Sequence, residues 1–258
     1  MIIWAGVSTD ELGMVVEHYP KVIIPKRKIQ VQNVAGRSDD IVISSDAFEN
    51  YEQSYSVFLD SKYIGGLEAV IPKISDWLLG NPGYHRLEDS YFPDYYRMAY
   101  VPNGQNFSSL FNEYGEGTIS FNCAPEKYLK TGELPIEVPQ PSNTKPAAVL
   151  YNPTAYAASP IIKFNGSTNG VQITFTNNKT NVANATVMIS IDRADTPVTI
   201  DVKKHKITAT IDGVETNYSS HLTGRYEDLM LMKETKISCT GVYGTDPKLT
   251  IIPRWYTI

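Results

Sequence analysis

Any chemistry in this chain would have to come from four histidines, two cysteines and a few paired carboxylates. His18, His85, His205 and His221 stand singly, with neither His-x-His nor His-Glu-x-x-His spacing, so they make no metal set and read as surface or packed side chains. Cys123 and Cys239 lie far apart and match no CxxC or Cys/His pattern, which marks them as reduced, buried thiols. Asp39-Asp40, Glu88-Asp89 and Asp192 with Asp195 could serve glycoside hydrolysis, which sets two carboxyl groups across a cleft. Acids in polar loops are ordinarily solvated, so no catalysis is expected from them. There is no Gly-x-Ser-x-Gly elbow and no phosphate-cradling loop; Gly65-Gly66 and Gly115-Glu116-Gly117 read as turns. Catalytic, cofactor-binding and metal-ligating residues are therefore all expected to be absent. Binding chemistry has a better claim. Trp255 and Tyr256 could stack on a sugar ring, although anchoring the last strand in a core or a subunit contact explains them more simply. The cluster Tyr91-Phe92 with Tyr95-Tyr96 fits an interface, where aromatics are enriched.

The elements that would carry these residues are mostly strands. Val22–Ile24, Ile29–Val31, Ile41–Ile43, Tyr55–Leu59 and Thr118–Cys123 show short apolar runs or alternation, with Gly36–Asp40 as a polar loop between two of them. One helix is predicted between Leu67 and Leu79, where Leu67, Val70, Ile71, Ile74, Trp77 and Leu78 recur at three- and four-residue spacing. Pro72 suits its first turn and Gly80 its stop. Composition shifts after Glu133: Pro135, Pro139, Pro141 and Pro146 in an apolar-poor stretch predict a stiff connector. Beyond it, Ile161–Phe164, Val171–Phe175, Ala185–Ile189, Val198–Val202, Lys206–Ile211 and Leu249–Ile252 read as strands. Turn signals fall at Asn165-Gly166, Asn169-Gly170 and Asp212-Gly213. The expected organisation is mainly β: a domain over 1–133 with one α-helix, a Pro-rich linker over 134–146, and a β-sandwich over 147–258.

The chain has 258 residues and is 42% hydrophobic, enough for two modest cores and too much for a disordered polymer. Its net charge of −5 is divided unevenly: 11 Lys and Arg meet 18 Asp and Glu up to Glu133, and 12 meet 10 beyond it. An acidic first half disfavours a reader of DNA sequence, because affinity for a phosphate backbone rests on cations that displace counterions. No run of about 18 apolar residues occurs, so no membrane span is expected. The start MIIWAGVSTDELG meets acids before any apolar core of a signal peptide forms, so synthesis in, and no export from, the cytoplasm is expected.

Several stretches together resemble a known family. Ile74-Ser75-Asp76-Trp77-Leu78-Leu79-Gly80, Leu87-Glu88-Asp89-Ser90 and Asp94-Tyr95-Tyr96-Arg97 look like the N-terminal signature of the distal tail (Dit) proteins of long-tailed phages of Gram-positive bacteria. Tyr151-Asn152-Pro153-Thr154, Ser159-Pro160 with Ile162, Gly166, Gly170 and the terminal Ile252-Pro253-Arg254-Trp255-Tyr256-Thr257-Ile258 extend the resemblance over nearly the whole chain. Glu88 stands where a small or polar residue is expected, and Tyr256 where a second tryptophan is frequent. The resemblance implies a structural, non-catalytic protein without cofactor: a homo-hexameric ring at the distal end of the virion tail, formed by a β-sandwich-like N-terminal domain, with a galectin-like C-terminal β-sandwich projecting outward. Implied partners are the tail tube protein, a tail-associated tip protein and a receptor-binding or adaptor protein, with DNA passing through the ring unbound. On that basis Asp39, Asp40 and Asp46 are candidates for an acidic lumen that repels phosphate. The hub of a phage-tail-like bacteriocin and a carbohydrate-binding module for wall saccharide are the alternatives.

Overall fold

The computed structural model describes residues 1–60, 65–102, 104–111, 114–142, 147–177 and 182–258; the side chains at 46, 109–111, 177 and 182–185 lie outside that description. The chain divides into two compact units, Met1–Lys127 with Ile258, and Tyr128–Thr257.

The first unit contains β1 (Ile2–Trp4), β2 (Val7–Ser8), β3 (Met14–Val16), β4 (Arg27–Gln32), β5 (Ile41–Phe48), β6 (Tyr51–Asp60), α1 (Leu67–Leu79), β7 (His85–Asp89), β8 (Tyr95–Tyr100), β9 (Asn106–Phe111) and β10 (Tyr114–Leu129). One sheet runs in the order β2-β1-β7-β8-β10-β6-β3, with β9 also paired to β10. Strict alternation makes it one-sided. Tyr55, Val57 and Leu59 on β6 and Ile119, Phe121 and Cys123 on β10 turn into the core, while Ser54 and Ser56 meet Ser120 and Thr118 on the opposite face. Helix α1 closes the core with Val70, Ile74, Trp77 and Leu78. Two indoles tie it: Trp77 Nε1 donates to the Trp4 carbonyl (2.9 Å) and Trp4 Nε1 to that of Ala99 (3.2 Å).

The expected face of α1 holds except at Ile71, which is exposed. Pro72 falls in the second turn, because the helix already begins at Leu67. Gly80 is required by close approach, since a Cβ there would sit 2.4 Å from the Asp76 carbonyl oxygen. Val22–Ile24 forms no strand, and Val22 and Ile24 are exposed. Among the described residues, strands β4 and β5 pair only with each other, as a separate two-stranded ribbon.

The second unit contains β11 (Ile136–Pro139), β12 (Ala148–Tyr151), β13 (Ile161–Gly166), β14 (Val171–Asn177), β15 (Val182–Ile189), β16 (Thr196–Asp201), β17 (Lys206–Ile211), β18 (Val214–Asn217), β19 (Leu222–Thr223), β20 (Glu234–Thr240), β21 (Lys248–Ile252) and β22 (Tyr256–Thr257). A six-stranded sheet (β11-β21-β13-β16-β17-β18) and a five-stranded sheet (β12-β20-β14-β15-β19) share one core. Ile162, Phe164, Val198, Ile200 and Ile251 from the first meet Ile173, Phe175, Val187, Ile189 and Ile237 from the second. The β-sandwich expectation is met.

Asp212-Gly213 closes the β17–β18 hairpin with φ of 49° and 80°, the double left-handed pair that a two-residue turn demands. Asn165-Gly166 does not turn; it ends β13, where a Cβ on Gly166 would press to 2.7 Å from Ile191. The stretch expected as a linker, 134–146, is not a free connector in its first part. Ile136–Pro139 pairs with β21 and buries Val138, and an edge strand is where a sheet tolerates prolines that cannot donate. Residues 143–146 of that stretch lie outside the described residues.

Candidate functional site

The residues that carry the family resemblance are polar ties inside the two units. The Asp89 side chain is 1% exposed and accepts from Arg97 (2.8 Å), from the Tyr55 hydroxyl (2.9 Å) and from the backbone N–H groups of Tyr91 and Phe92. Arg97 is nearly as deep, at 6%, with its guanidinium over the Phe92 ring. Burial pushes the Tyr51 and Tyr55 hydroxyls well above their usual range and the Cys123 thiol up to about 12. A thiol so protonated is a poor nucleophile. Among the described residues of this unit, Tyr51 Oη and Arg97 Nε are buried without a hydrogen-bond partner.

In the second unit Asn152 donates to the carbonyls of Tyr156 and Leu231 and accepts from Thr154, fixing the loop after β12. Arg254 reaches Asp201 at 2.7 Å and the carbonyls of Ser159 and Pro160. Burial alone would raise the Asp201 carboxyl, but hydrogen bonding and attraction from Arg254 outweigh it and hold the group below its ordinary value. The terminal motif thus clamps the end of the chain onto β13 and β16.

The sequence candidates separate on this frame. Trp255 is 6% exposed and belongs to the sandwich core, with its backbone so close to Gly132 that a Cβ on that glycine would lie 2.5 Å from the Trp255 nitrogen. Its indole is no open platform for a sugar. Tyr256 is half-buried between Tyr156 (5.6 Å, stacked) and Tyr128. Tyr91 and Phe92 pack edge-on against Tyr19, and Tyr96 lies under Arg86.

Asp39 and Asp40 sit exposed between β4 and β5. Asp39 is paired with Arg37 at 2.9 Å, which lowers its carboxyl pKa, and Asp40 accepts from Asn33. The Asp46 side chain lies outside the described residues. The paired acids do not converge on a cleft: Glu88 is bound to Arg86, Asp89 is buried on Arg97, Asp192 accepts from Tyr218, and Asp195 accepts from Asn165. Among the described residues no cluster of three His, Cys, Asp or Glu side chains could hold a metal.

Two surface features of the first unit remain, and sequence reading missed both. The first is the β4–β5 ribbon. Ile29, Val31, Val42 and Ile43 are 55%, 53%, 59% and 51% exposed; Val31 lies directly opposite Val42 on the face that also carries Ile29, and Ile43 lies opposite Gln30 on the other, so one face is apolar and the other mixed. A lone two-stranded ribbon is marginal in water, and one this apolar calls for a cover. The alternation was legible, but it cannot say whether the same chain covers the apolar positions. The second is an open groove of about 600 Å³ on the polar face of the main sheet. It is lined by Glu17, Glu52 and Glu116 together with serine, threonine, asparagine and glutamine, and by no Lys or Arg. These acids are distant in sequence: the β6–β10 register brings Glu52 and Glu116 to one face, and the β3–β6 pairing brings Glu17 beside Ser56.

No family model matches the chain, and no curated protein matches it. Among solved structures it is similar over 97% of its length, and 96% of the other chain's, to the SPP1 Dit protein (gp19.1), described as a paradigm of the hub adsorption apparatus in phages that infect Gram-positive bacteria, with a TM-score of 0.70 and 13% identity. It is also similar to chains of the phage P2 baseplate in its activated conformation, solved with Ca (TM-score 0.55, 8% identity) and with Sr (0.54, 9%), each over 93% of this chain and 90% of that one. At such identities the likeness speaks for architecture: this mainly β chain shares the fold of the SPP1 Dit protein and of those baseplate chains.

Proposed function

We propose that the protein is a structural distal tail hub: a homo-hexameric ring that joins the tail tube to the tip or baseplate of a long-tailed phage and lets DNA pass through its channel. The observation that carries this reading is the β4–β5 ribbon, because its exposed apolar face of Ile29, Val31 and Val42 is covered when each copy lays its ribbon on the next. Such head-to-tail contacts close into rings without any ligand. The fold shared with the hub and baseplate chains supports the same conclusion. Partners in this reading are the tail tube protein, a tip protein and a receptor-binding or adaptor protein.

The channel wall is the acidic sheet face. Glu17, Glu52 and Glu116, repeated by the ring symmetry, set a field that keeps phosphate off the wall, whereas Asp39 is already offset by Arg37. Negative-stain electron microscopy of the purified protein at high concentration tests the ring: six-fold class averages with a central hole are expected, and single small particles at every concentration would overturn it. Lysine at the three glutamates should slow DNA release from particles that carry the changes.

A further inference from the structure

Asparagine precedes glycine at Asn103, Asn165 and Asn169. The chemistry latent in that pair is intramolecular: the glycine nitrogen, with no Cβ to hinder it, can attack the side-chain amide carbon of the asparagine before it. Asn103 lies outside the described residues. The other two stand at opposite ends of the same β13–β14 connection, and the fold treats them differently.

Asn165 is locked. It lies within β13, where its carbonyl accepts from the Tyr243 N–H (2.8 Å) and its side-chain amide donates to Asp195 (2.7 Å). Gly166 is buried, paired with Thr196 on one side and bridged to Val242 on the other, and Ile191 fills the space where a Cβ would stand. For the Gly166 nitrogen to reach the Asn165 side chain, a strand end must leave its sheet and an amide must leave a carboxylate.

Asn169 is held by far less. It is exposed in the turn 167–170, and its side chain has no hydrogen-bond partner among the described residues. The Gly170 N–H makes a local bond to the Ser167 carbonyl (3.0 Å), and Gly170 carries the left-handed φ of 76° that glycine adopts without strain. Opening that exposed turn frees the attacking nitrogen and the carbon it attacks together, and turns of this kind open far more often than strands do.

We propose that Asn169 is a site of spontaneous covalent modification. The Gly170 nitrogen forms a bond to Asn169 Cγ, the side-chain amino group leaves with the displaced proton as ammonia, and a five-membered succinimide joins the two residues. Water then opens the ring. Cleavage of the bond from Cγ to the Gly170 nitrogen leaves aspartate with the original backbone, whereas cleavage of the bond from the Asn169 backbone carbonyl carbon leaves isoaspartate, with the chain running through Cβ and Cγ. The sum is one water consumed and one ammonia released.

The two products do not weigh equally on the fold. Aspartate adds a negative charge to an exposed turn. Isoaspartate also lengthens the backbone by a methylene immediately before Gly170, whose carbonyl oxygen packs so closely on Gly241 that a Cβ there would sit 2.0 Å away. Ser167 N–H donates to the Gly241 carbonyl (3.2 Å), so the turn meets the 241–244 loop at both of its ends. The isoaspartyl form should loosen that loop and aspartate should leave it in place. All of these residues lie in the second unit, so the site stands or falls independently of the ring.

Peptide mapping by mass spectrometry of the full-length chain, aged at neutral and at mildly alkaline pH, tests this. Both asparagines fall in the tryptic peptide that follows Lys163 and ends at Lys179, so they are read together. Conversion to aspartate and isoaspartate at Asn169 is expected, faster at the higher pH because the attacking nitrogen must shed its proton, with Asn165 slower by a factor of about 100 or more. In the urea-unfolded chain the two should convert at similar rates. Asn169→Ser should leave the aged peptide unmodified, and Asn169→Asp should keep the hydrogen-exchange protection of the Tyr243 N–H that the isoaspartyl protein loses. Conversion at Asn165 as fast as at Asn169 in the folded protein, or none at Asn169 under conditions where the unfolded chain converts, would overturn the proposal.

Discussion

The β4–β5 ribbon and the β16–β17 hairpin are built from the same sequence pattern and meet opposite fates. Both are antiparallel pairs of short alternating strands joined by turn residues. In β16 and β17, Val198, Ile200, Ile207 and Ala209 vanish into a core that the facing sheet completes. In β4 and β5, Ile29, Val31, Val42 and Ile43 stay open on a ribbon that no other strand among the described residues joins. The lesson is that alternation encodes a surface to be buried, not the chain that buries it. Where a globular unit has no inner partner for such a surface, the proposed ring supplies one in the next copy.

Charged substitutions should expose that difference most strongly. Ile200→Asp places an unpaired carboxylate in the sandwich core and should cost more than about 4 kcal/mol, unfolding the second unit in thermal melts. Val42→Asp should shift the melting of the isolated protomer by no more than about 0.5 kcal/mol, because its site is already wet. A melt in which Val42→Asp destabilises as much as Ile200→Asp would erase the distinction.

Next in size is the buried pair of the first unit. Asp89→Asn leaves Arg97 charged and unmatched in the core and should cost about 3–5 kcal/mol by denaturant titration. Arg254→Ala, at a tie with about 15% exposure on both sides, should cost less, about 1–3 kcal/mol.

The units should also part with pH. Tyr51 and Tyr55 are raised by burial, so the stability they confer is complete below about pH 10 and is lost as pH rises and the unfolded chain ionises first. Asp201 is lowered, so its contribution is complete above about pH 4 and is lost as pH falls through its depressed value. Fluorescence of Trp4 and Trp77 in a Trp255→Phe chain, set against Trp255 in a chain with the other two replaced, should report earlier alkaline loss in the first unit.

The smallest contrast lies in the turns. Gly213→Ala forces a left-handed residue into a hairpin of the sandwich and should cost about 1–2 kcal/mol. Gly36→Ala imposes the same strain at the ribbon loop, where global melting should barely move.

Much of this molecule was legible in its residues. The helix face at Val70, Ile74, Trp77 and Leu78, the Asp212-Gly213 hairpin and six strands of the sandwich follow from spacing alone, because each is a local pattern with a local cause; β12 and β20, which pair with each other, were not read from the sequence. What was illegible depends on register or on depth. Trp255 and Tyr243 are both aromatics beside turn residues, yet close approach to Gly132 buries one and two flanking glycines hold the other outside. Glu17, Glu52 and Glu116 become one acidic groove only after β3, β6 and β10 align. The proline-rich stretch misled for a related reason: β11 needs donors on one side only, so its prolines cost the sheet little.

Native mass spectrometry of the wild-type protein and of Val42→Asp, across a common concentration series, tests the central claim most directly. Six copies for the wild type and one for Val42→Asp are the expected result. Identical mass distributions for the two proteins, whether both hexameric or both monomeric, would contradict the assignment of the ribbon as the seam of a ring.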